Sequence, residues 1–376
     1  MRLPWNTGRR VRWNRLCIHP AQNGDPLTRE PWETSQRQHK FQTLDALRGV
    51  AAIVVVMYHN RVLFAWRPSH GYLAVDLFFN LSGFVLSYAY QNRLDSGLST
   101  AAFLRDRIIR LAPLYLLALG LGAAATCVAG LGGWLHLTWG QHLEYLGMGV
   151  VLLPVHSSAM PGLPLFPYNY PSWTLFLEVS MNIGHALFLR RLRTIVLSSV
   201  CGISALLLAF IYVHSHTINA GWDWDTVFTI GISRVIFSYT CGMLLFRIGS
   251  IRGHRVKVPA AMVLLLTFGV LVVPTPHQAM AALLMIVVLV PAIVYAGALN
   301  EPEMISSWSF GPLGAASYAI YVLHAPFVIY FQWVWPTASF HTPWSGLLML
   351  ATLVLLSLFI DRFFDVPVRK ALRGRA

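Results

Sequence analysis

Charge is what this chain has least of: Asp, Glu, Lys and Arg together make up 11% of its 376 residues. Beside 56% hydrophobic residues and a mean hydropathy of +0.57, so sparse a complement excludes an ordinary soluble globular domain. Acidic residues are the scarcer sign, 15 against 28 Lys and Arg, which leaves a formal net charge of +13. In a soluble protein that excess would point to nucleic acid; here the basic residues fall in short blocks between apolar runs, the pattern of membrane topology, and no nucleic-acid partner is expected. Cysteine is confined to Cys17, Cys127, Cys201 and Cys241, far apart and without CxxC or His-rich spacing, so neither a disulfide framework nor a metal site is expected. Residues 1–40 lack an apolar core of signal-peptide length and read as a flexible basic cytosolic tail. No period of 20 to 50 residues repeats, and no inverted halves of the transporter kind stand out.

What the chain does have is apolar runs. A span needs about 20 mainly apolar residues, and on that measure about ten are present: 43–64, 71–91, 111–133, 173–190, 195–213, 227–246, 259–274, 279–298, 311–333 and 344–361. With the N-terminus inside, the blocks Arg105/Arg107/Arg110, Arg190/Arg191/Arg193, Arg247/Arg252/Arg255/Lys257 and Arg369/Lys370/Arg373/Arg375 all fall on the cytosolic side. Were the apolar stretch 143–155 an eleventh span, every later block would move outside. Residues 134–171, which hold no Lys or Arg and are rich in proline and aromatics toward their end, are therefore expected outside as a shaped loop with a short re-entrant or interfacial segment. The expectation is a single all-α integral membrane domain over 41–370, both termini cytosolic, with a short basic tail over 371–376 and no appended soluble domain.

Ionisable groups inside a bilayer are costly, so each marks a candidate functional site. Counted along the expected spans, His59, Asp76 and Glu178 each lie about five residues from an outer end, with Arg234 and His324 at a similar or slightly deeper level. A shared polar chamber in the outer half follows as an expectation, although any one of these residues could instead hydrogen-bond a neighbouring helix. In LDALRGVAAIVVVMYH, Arg48 and His59 stand eleven positions apart. At about 100° and 1.5 Å per residue they share one helix face, about 16 Å apart along it. Such a face suits a long substrate with an anionic end at Arg48 and a reactive end at His59, a natural general base near neutral pH. Glu178 or Asp76 is placed to orient the imidazole. The plainer reading of Arg48 is a snorkelling side chain paired with Asp45 one turn away.

Six segments in order, LDALRGVAAIVVVMYH, VDLFFNLSGFVLS, RDRIIRLAPLY, PSWTLFLEVSMN, SYAIYVLHAPF and FFDVPVRKAL, resemble those of the bacterial membrane-bound acyltransferase-3 family, over about residues 41 to 370. The resemblance implies a ten-helix fold in a bacterial inner membrane. It also implies a donor substrate, cytosolic acyl-CoA (most often acetyl-CoA), and an acceptor hydroxyl on a carbohydrate or related glycan of the envelope. Arg48 and His59 match the family's Arg-x10-His motif, Arg107 and Arg110 its second arginine motif, and Glu178 the acidic residue of its Ser-Trp segment. Arginine suits the phosphates of coenzyme A through paired, planar hydrogen bonds. On this reading His59, Glu178 and Asp76 are catalytic, Arg48, Arg107 and Arg110 hold the donor, and Ser82, Trp173, Arg234, Tyr318 and His324 line the pocket. Ala74-Val75 and Asn80 depart from the family's usual Gly-Val and Val and would alter the acceptor side. The rivals from other classes are a proton- or ion-coupled transporter and a scaffold whose polar residues only fix helix packing.

Overall fold

The structure, a computed structural model, describes residues 41–131, 137–156, 163–249, 258–300, 304–334 and 343–374. The expected tail over 1–40 lies outside the described residues, as do Arg252, Arg255, Lys257 and Arg375 of the basic blocks. Among the described residues the regular structure is helical, without strands, and seven helices are long and apolar enough to cross a membrane. The protein is an all-α integral membrane protein. In chain order its main helices are α1 (Gln42–His59), α2 (Ala74–Asp95), α3 (Thr100–Leu131), α4 (Trp139–Val150), α5 (Ser172–Leu187), α6 (Thr194–Ser215), α7 (Ile232–Gly249), α8 (Ala260–Val272), α9 (Gln278–Leu284), α10 (Val290–Leu299), α11 (Met304–Val334), α12 (Pro343–Ile360) and α13 (Val366–Gly374). The expected spans fall on these helices, those at 43–64, 173–190 and 259–274 on the shorter α1, α5 and α8, and that at 279–298 on α9 and α10, which a π-helical turn, Met285–Leu289, joins into one.

Small residues set the two closest crossings. A Cβ on Gly83 of α2 would overlap the Tyr239 carbonyl of α7, and one on Gly242 would overlap the Asn80 carbonyl of α2. Gly49 and Gly314 do the same for α1 and α11, against Leu313 and Asp45. In lipid, where apolar faces gain nothing by leaving solvent, such close backbone approach is what lets helices associate. Matched contacts ascend together along both pairs, so α1 runs parallel to α11 and α2 parallel to α7. The periphery is apolar and open: α6 exposes Ile195, Ile203, Leu206 and Phe210, a surface suited to acyl chains.

Several boundaries differ from expectation for local reasons. The first helix stops at His59 instead of running to 64, because Asn60 leaves the helical region (φ −112°, ψ 40°) and its side-chain amide donates back to the Val56 carbonyl at 2.7 Å. His59 is thus the last residue of its helix and not five residues from its end. The third span begins at Thr100, not 111, so Arg105, Arg107 and Arg110 belong to the wall of the bundle and not to a loop. Residues 143–155 hold only α4, twelve residues opened by a Thr138/Gln141 capping box. At 1.5 Å per residue that is about 18 Å, short of the roughly 30 Å hydrocarbon core. At the other end α12 continues through a π-helical turn, Asp361–Asp365, into α13, so the chain has no break at residue 370.

Candidate active site

Two cavities lie at the two ends of α1. One, of about 290 Å³, is lined by Arg48, Arg107, Arg110, Ser82, Glu178 and Tyr318 among others; the second, of about 390 Å³, by His59, Tyr58, Arg67, Trp173, Asn219 and Arg234 among others. The five polar residues expected in one chamber are therefore divided. Glu178 belongs with the arginines, because α3 starts early enough to bring Arg107 beside it.

At the His59 end the geometry fixes a tautomer. His324 Nδ1 lies 2.6 Å from the Tyr321 carbonyl, which can only accept, so Nδ1 carries the proton and Nε2 a lone pair. That lone pair faces His59 Nδ1 at 3.2 Å, which must donate to it. His59 is left with an unprotonated Nε2, the arrangement a general base needs. Its side chain is exposed on the cavity wall while His324 is fully buried behind it. The two rings are nearly parallel, 14° apart, with Tyr170 edge-on to both.

Pro326 explains how that loop tyrosine is held. Proline has no N–H, so the Val322 carbonyl one turn back in α11 loses its helical partner. The Asn169 side-chain amide donates to it at 3.0 Å and seats the segment carrying Tyr170 and Pro171 beside the histidines. Around the cavity mouth, Arg67 and the Asn219 amide both donate to the Tyr58 hydroxyl, at 2.8 and 2.7 Å, and the Arg67 guanidinium lies 4.2 Å from the Tyr58 ring centre.

Asp76 does not orient His59. It is fully buried and forms a forked ion pair with Arg234, whose Nε donates to Oδ1 at 3.2 Å and whose Nη2 donates to Oδ2. Arg234 also donates to the carbonyls of Ala220 (3.1 Å) and Tyr72 (3.0 Å). The pair ties α2, α7 and the segment before α7 together, and presents Arg234 to the cavity. Glu178 does not reach His59 either; it accepts from Ser82 Oγ at 2.7 Å and from Arg107 Nη2 at 3.4 Å.

At this arginine-rich end every guanidinium already faces a carboxylate. Arg48 Nη1 is 3.0 Å from Asp45 Oδ1, the pairing its sequence spacing allowed, and Arg110 Nη1 is 3.6 Å from Asp365. Asp365, buried in the π-helical turn, is held in turn by Arg369 at 2.9 Å, which links the end of the chain to this cavity. Tyr318 donates to the Leu111 carbonyl at 2.7 Å and lies under Arg110. Three arginines against Asp45 and Glu178 on the cavity wall leave it positive, and an incoming phosphate could replace either carboxylate. Sequence reasoning missed Tyr321, Thr174, Asn219 and Asp365. Tyr321, Thr174 and Asp365 lie within the six family-like segments, Tyr321 one turn before His324, whereas Asn219 carried no local signal.

Comparison with known proteins gives the family. Residues 41–362 match the acyltransferase-3 family model, an acyltransferase domain. The chain is 41% identical over 156 residues to a protein described as protein 2 in the picA locus of Rhizobium radiobacter, covering 39% of this chain and 81% of that protein. No solved structure matches. With nearly the whole described chain inside the family's model, and its Arg48–His59 helix spanning two cavities, this protein belongs to the acyltransferase-3 family of membrane acyltransferases.

Proposed function

We propose that the protein moves an acyl group, acetyl in the first instance, from cytosolic acyl-CoA to a hydroxyl of a cell-envelope glycan, working in a bacterial inner membrane through the single domain over 41–370. The observation that carries this reading is the position of Arg48 and His59 at opposite ends of one helix, each on the wall of its own cavity. The phosphates of the donor exchange with Glu178 and Asp45 on Arg107 and Arg48, and Arg110 adds charge. The thioester end extends toward His59, a distance of about 16 Å along the helix.

The His59 cavity favours a sugar. Tyr58, Tyr72, Tyr170, Trp173 and Trp222 offer flat apolar faces, and Asn219, Arg67 and Arg234 offer donors for hydroxyl oxygens. His59 Nε2 takes the proton of the acceptor hydroxyl as its oxygen attacks the thioester carbonyl. The new C–O bond forms, the C–S bond breaks, and the imidazolium returns the proton to the thiolate. The His324 lone pair steadies the positive ring in between.

The test uses inner-membrane vesicles with wild-type or His59→Ala protein, labelled acetyl-CoA and crude envelope glycan. Label reaching glycan with the wild type alone is the expected result. Label that stays on CoA, with solute flux dependent on His59, would overturn the proposal.

A further inference from the structure

The two cavities have one lining residue in common, Tyr321. Its hydroxyl is hydrogen-bonded to the Thr174 hydroxyl and, at 3.2 Å, donates to the Pro171 carbonyl, which pins the ring to the start of α5. Phe78, which lines the arginine side, closes the other flank edge-on, with ring centres 5.2 Å apart. Phosphate-holding groups and the base thus stand on opposite sides of a pair of aromatic rings. Resting on the proposed function, the thioester end of a donor must pass these rings before His59 can act on it.

We propose that Tyr321 and Phe78 form a gate between the cavities, and that the gap they leave sets which acyl groups the enzyme transfers. Tyr321 is partly buried, as a residue shared by two cavity walls must be, and it does three things at once: its ring divides the cavities, its hydroxyl is latched by Thr174, and its carbonyl holds His324. The latch is a pair of hydroxyls that can part without leaving a buried charge. The carbonyl contact belongs to the backbone and survives any side-chain substitution. A closed ring also separates water around the acceptor from the thioester, so the gate suppresses hydrolysis as well as selecting by size.

The experiment supplies acetyl-, butyryl- and hexanoyl-CoA to vesicles bearing wild-type, Tyr321→Phe, Tyr321→Ala or Phe78→Ala protein, and reads glycan products and free acid by mass spectrometry. Tyr321→Ala and Phe78→Ala are expected to gain on the longer chains, by about tenfold per methylene relative to acetyl. Tyr321→Phe keeps the size preference but releases more free acid. Phe78→Ala widens the same gap without touching the Thr174 latch, so a misfolded Tyr321→Ala does not decide the matter. An acyl preference unchanged in both alanine variants overturns the gate while the proposed function stands.

If wild-type protein transfers nothing from any acyl-CoA, the proposed function fails, and the barrier is judged by access alone. Ser82→Cys, on the arginine side, is offered a charged thiol reagent from the side on which the His59 cavity opens. Labelling that rises at least severalfold when Tyr321→Ala is added supports the barrier. Equal labelling with and without that change refutes it.

Discussion

His324 Nε2 faces His59 Nδ1 at 3.2 Å, and its own Nδ1 is committed to the Tyr321 carbonyl. Because a carbonyl can only accept, the direction of both bonds is fixed, and the nitrogen of His59 that reaches the cavity is the one free to take a proton. On the proposed function, this orients the base with a second imidazole where a carboxylate was expected. A neutral partner avoids burying a permanent negative charge in the membrane, and its lone pair still favours the imidazolium as it forms.

Kinetics should separate the two histidines. His59→Ala is expected to lower transfer by about 10²- to 10⁴-fold, the range for a lost general base. His324→Ala should lower kcat by about tenfold or more with donor KM unchanged, since it acts through His59. His324→Gln, whose side-chain oxygen can accept from His59 Nδ1, should recover part of the loss. A raised donor KM at normal kcat in His324→Ala would show that its role is structural.

On the proposed function, a donor phosphate would compete with Glu178 for Arg107, which the carboxylate holds at 3.4 Å. Glu178→Gln keeps a hydrogen-bond partner for Ser82 but removes the charge, so donor KM should fall. Arg107→Ala should raise it by about tenfold to a hundredfold, the worth of one charge-assisted hydrogen bond. Titrating transfer rate against acetyl-CoA in membranes checks both. A higher donor KM in Glu178→Gln would mean the carboxylate helps to hold the donor.

The crossing of α2 and α7 predicts a stability effect remote from chemistry. At Gly83 and Gly242 the atoms that a new Cβ would meet are backbone, which cannot swing aside. Gly83→Ala and Gly242→Ala should each destabilise by about 1–3 kcal/mol through overpacking. Lower thermal midpoints in detergent are the expected readout. Gly202, whose Cβ would meet nothing, should accept alanine without loss.

How much of this was legible in the sequence follows from distance along the chain. Arg48 and His59 share one helix, so periodicity alone placed them on a line with a charge at one end and a base at the other. The partners of the buried polar groups were not legible. Asp76 and Arg234 are 158 residues apart, and His59 and His324 are 265 apart. Which pairs meet depends on how parallel helices are shifted along one another, and the glycines that set that shift look like any others in an apolar run. Depth counted from expected span ends also misplaced Glu178, because the helix opposite it starts at Thr100 and brings Arg107 into the bundle. The relayed contact of Asn169 with Val322 was implicit in Pro326, but only the folded chain shows which amide answers the orphaned carbonyl.

The role of Asp76 can be settled by breaking its ion pair and then removing it altogether. Asp76→Asn leaves Arg234 buried with its charge unopposed, and losing one partner of such a pair costs about 3–5 kcal/mol. A large drop in thermal midpoint should therefore accompany any loss of activity, which makes the single variant uninformative about chemistry. Replacing both partners with apolar residues of similar volume, Asp76→Leu with Arg234→Met, removes the unpaired charge, and stability should return most of the way. Arg234 also donates to Ala220 and Tyr72 and faces the His59 cavity, so this double variant should show a raised acceptor KM. Its kcat should stay within about tenfold of wild type, because His59 takes its orientation from His324 and not from Asp76. A double variant as stable as wild type that nonetheless loses kcat by about a hundredfold or more would place the Asp76–Arg234 pair in the reaction itself.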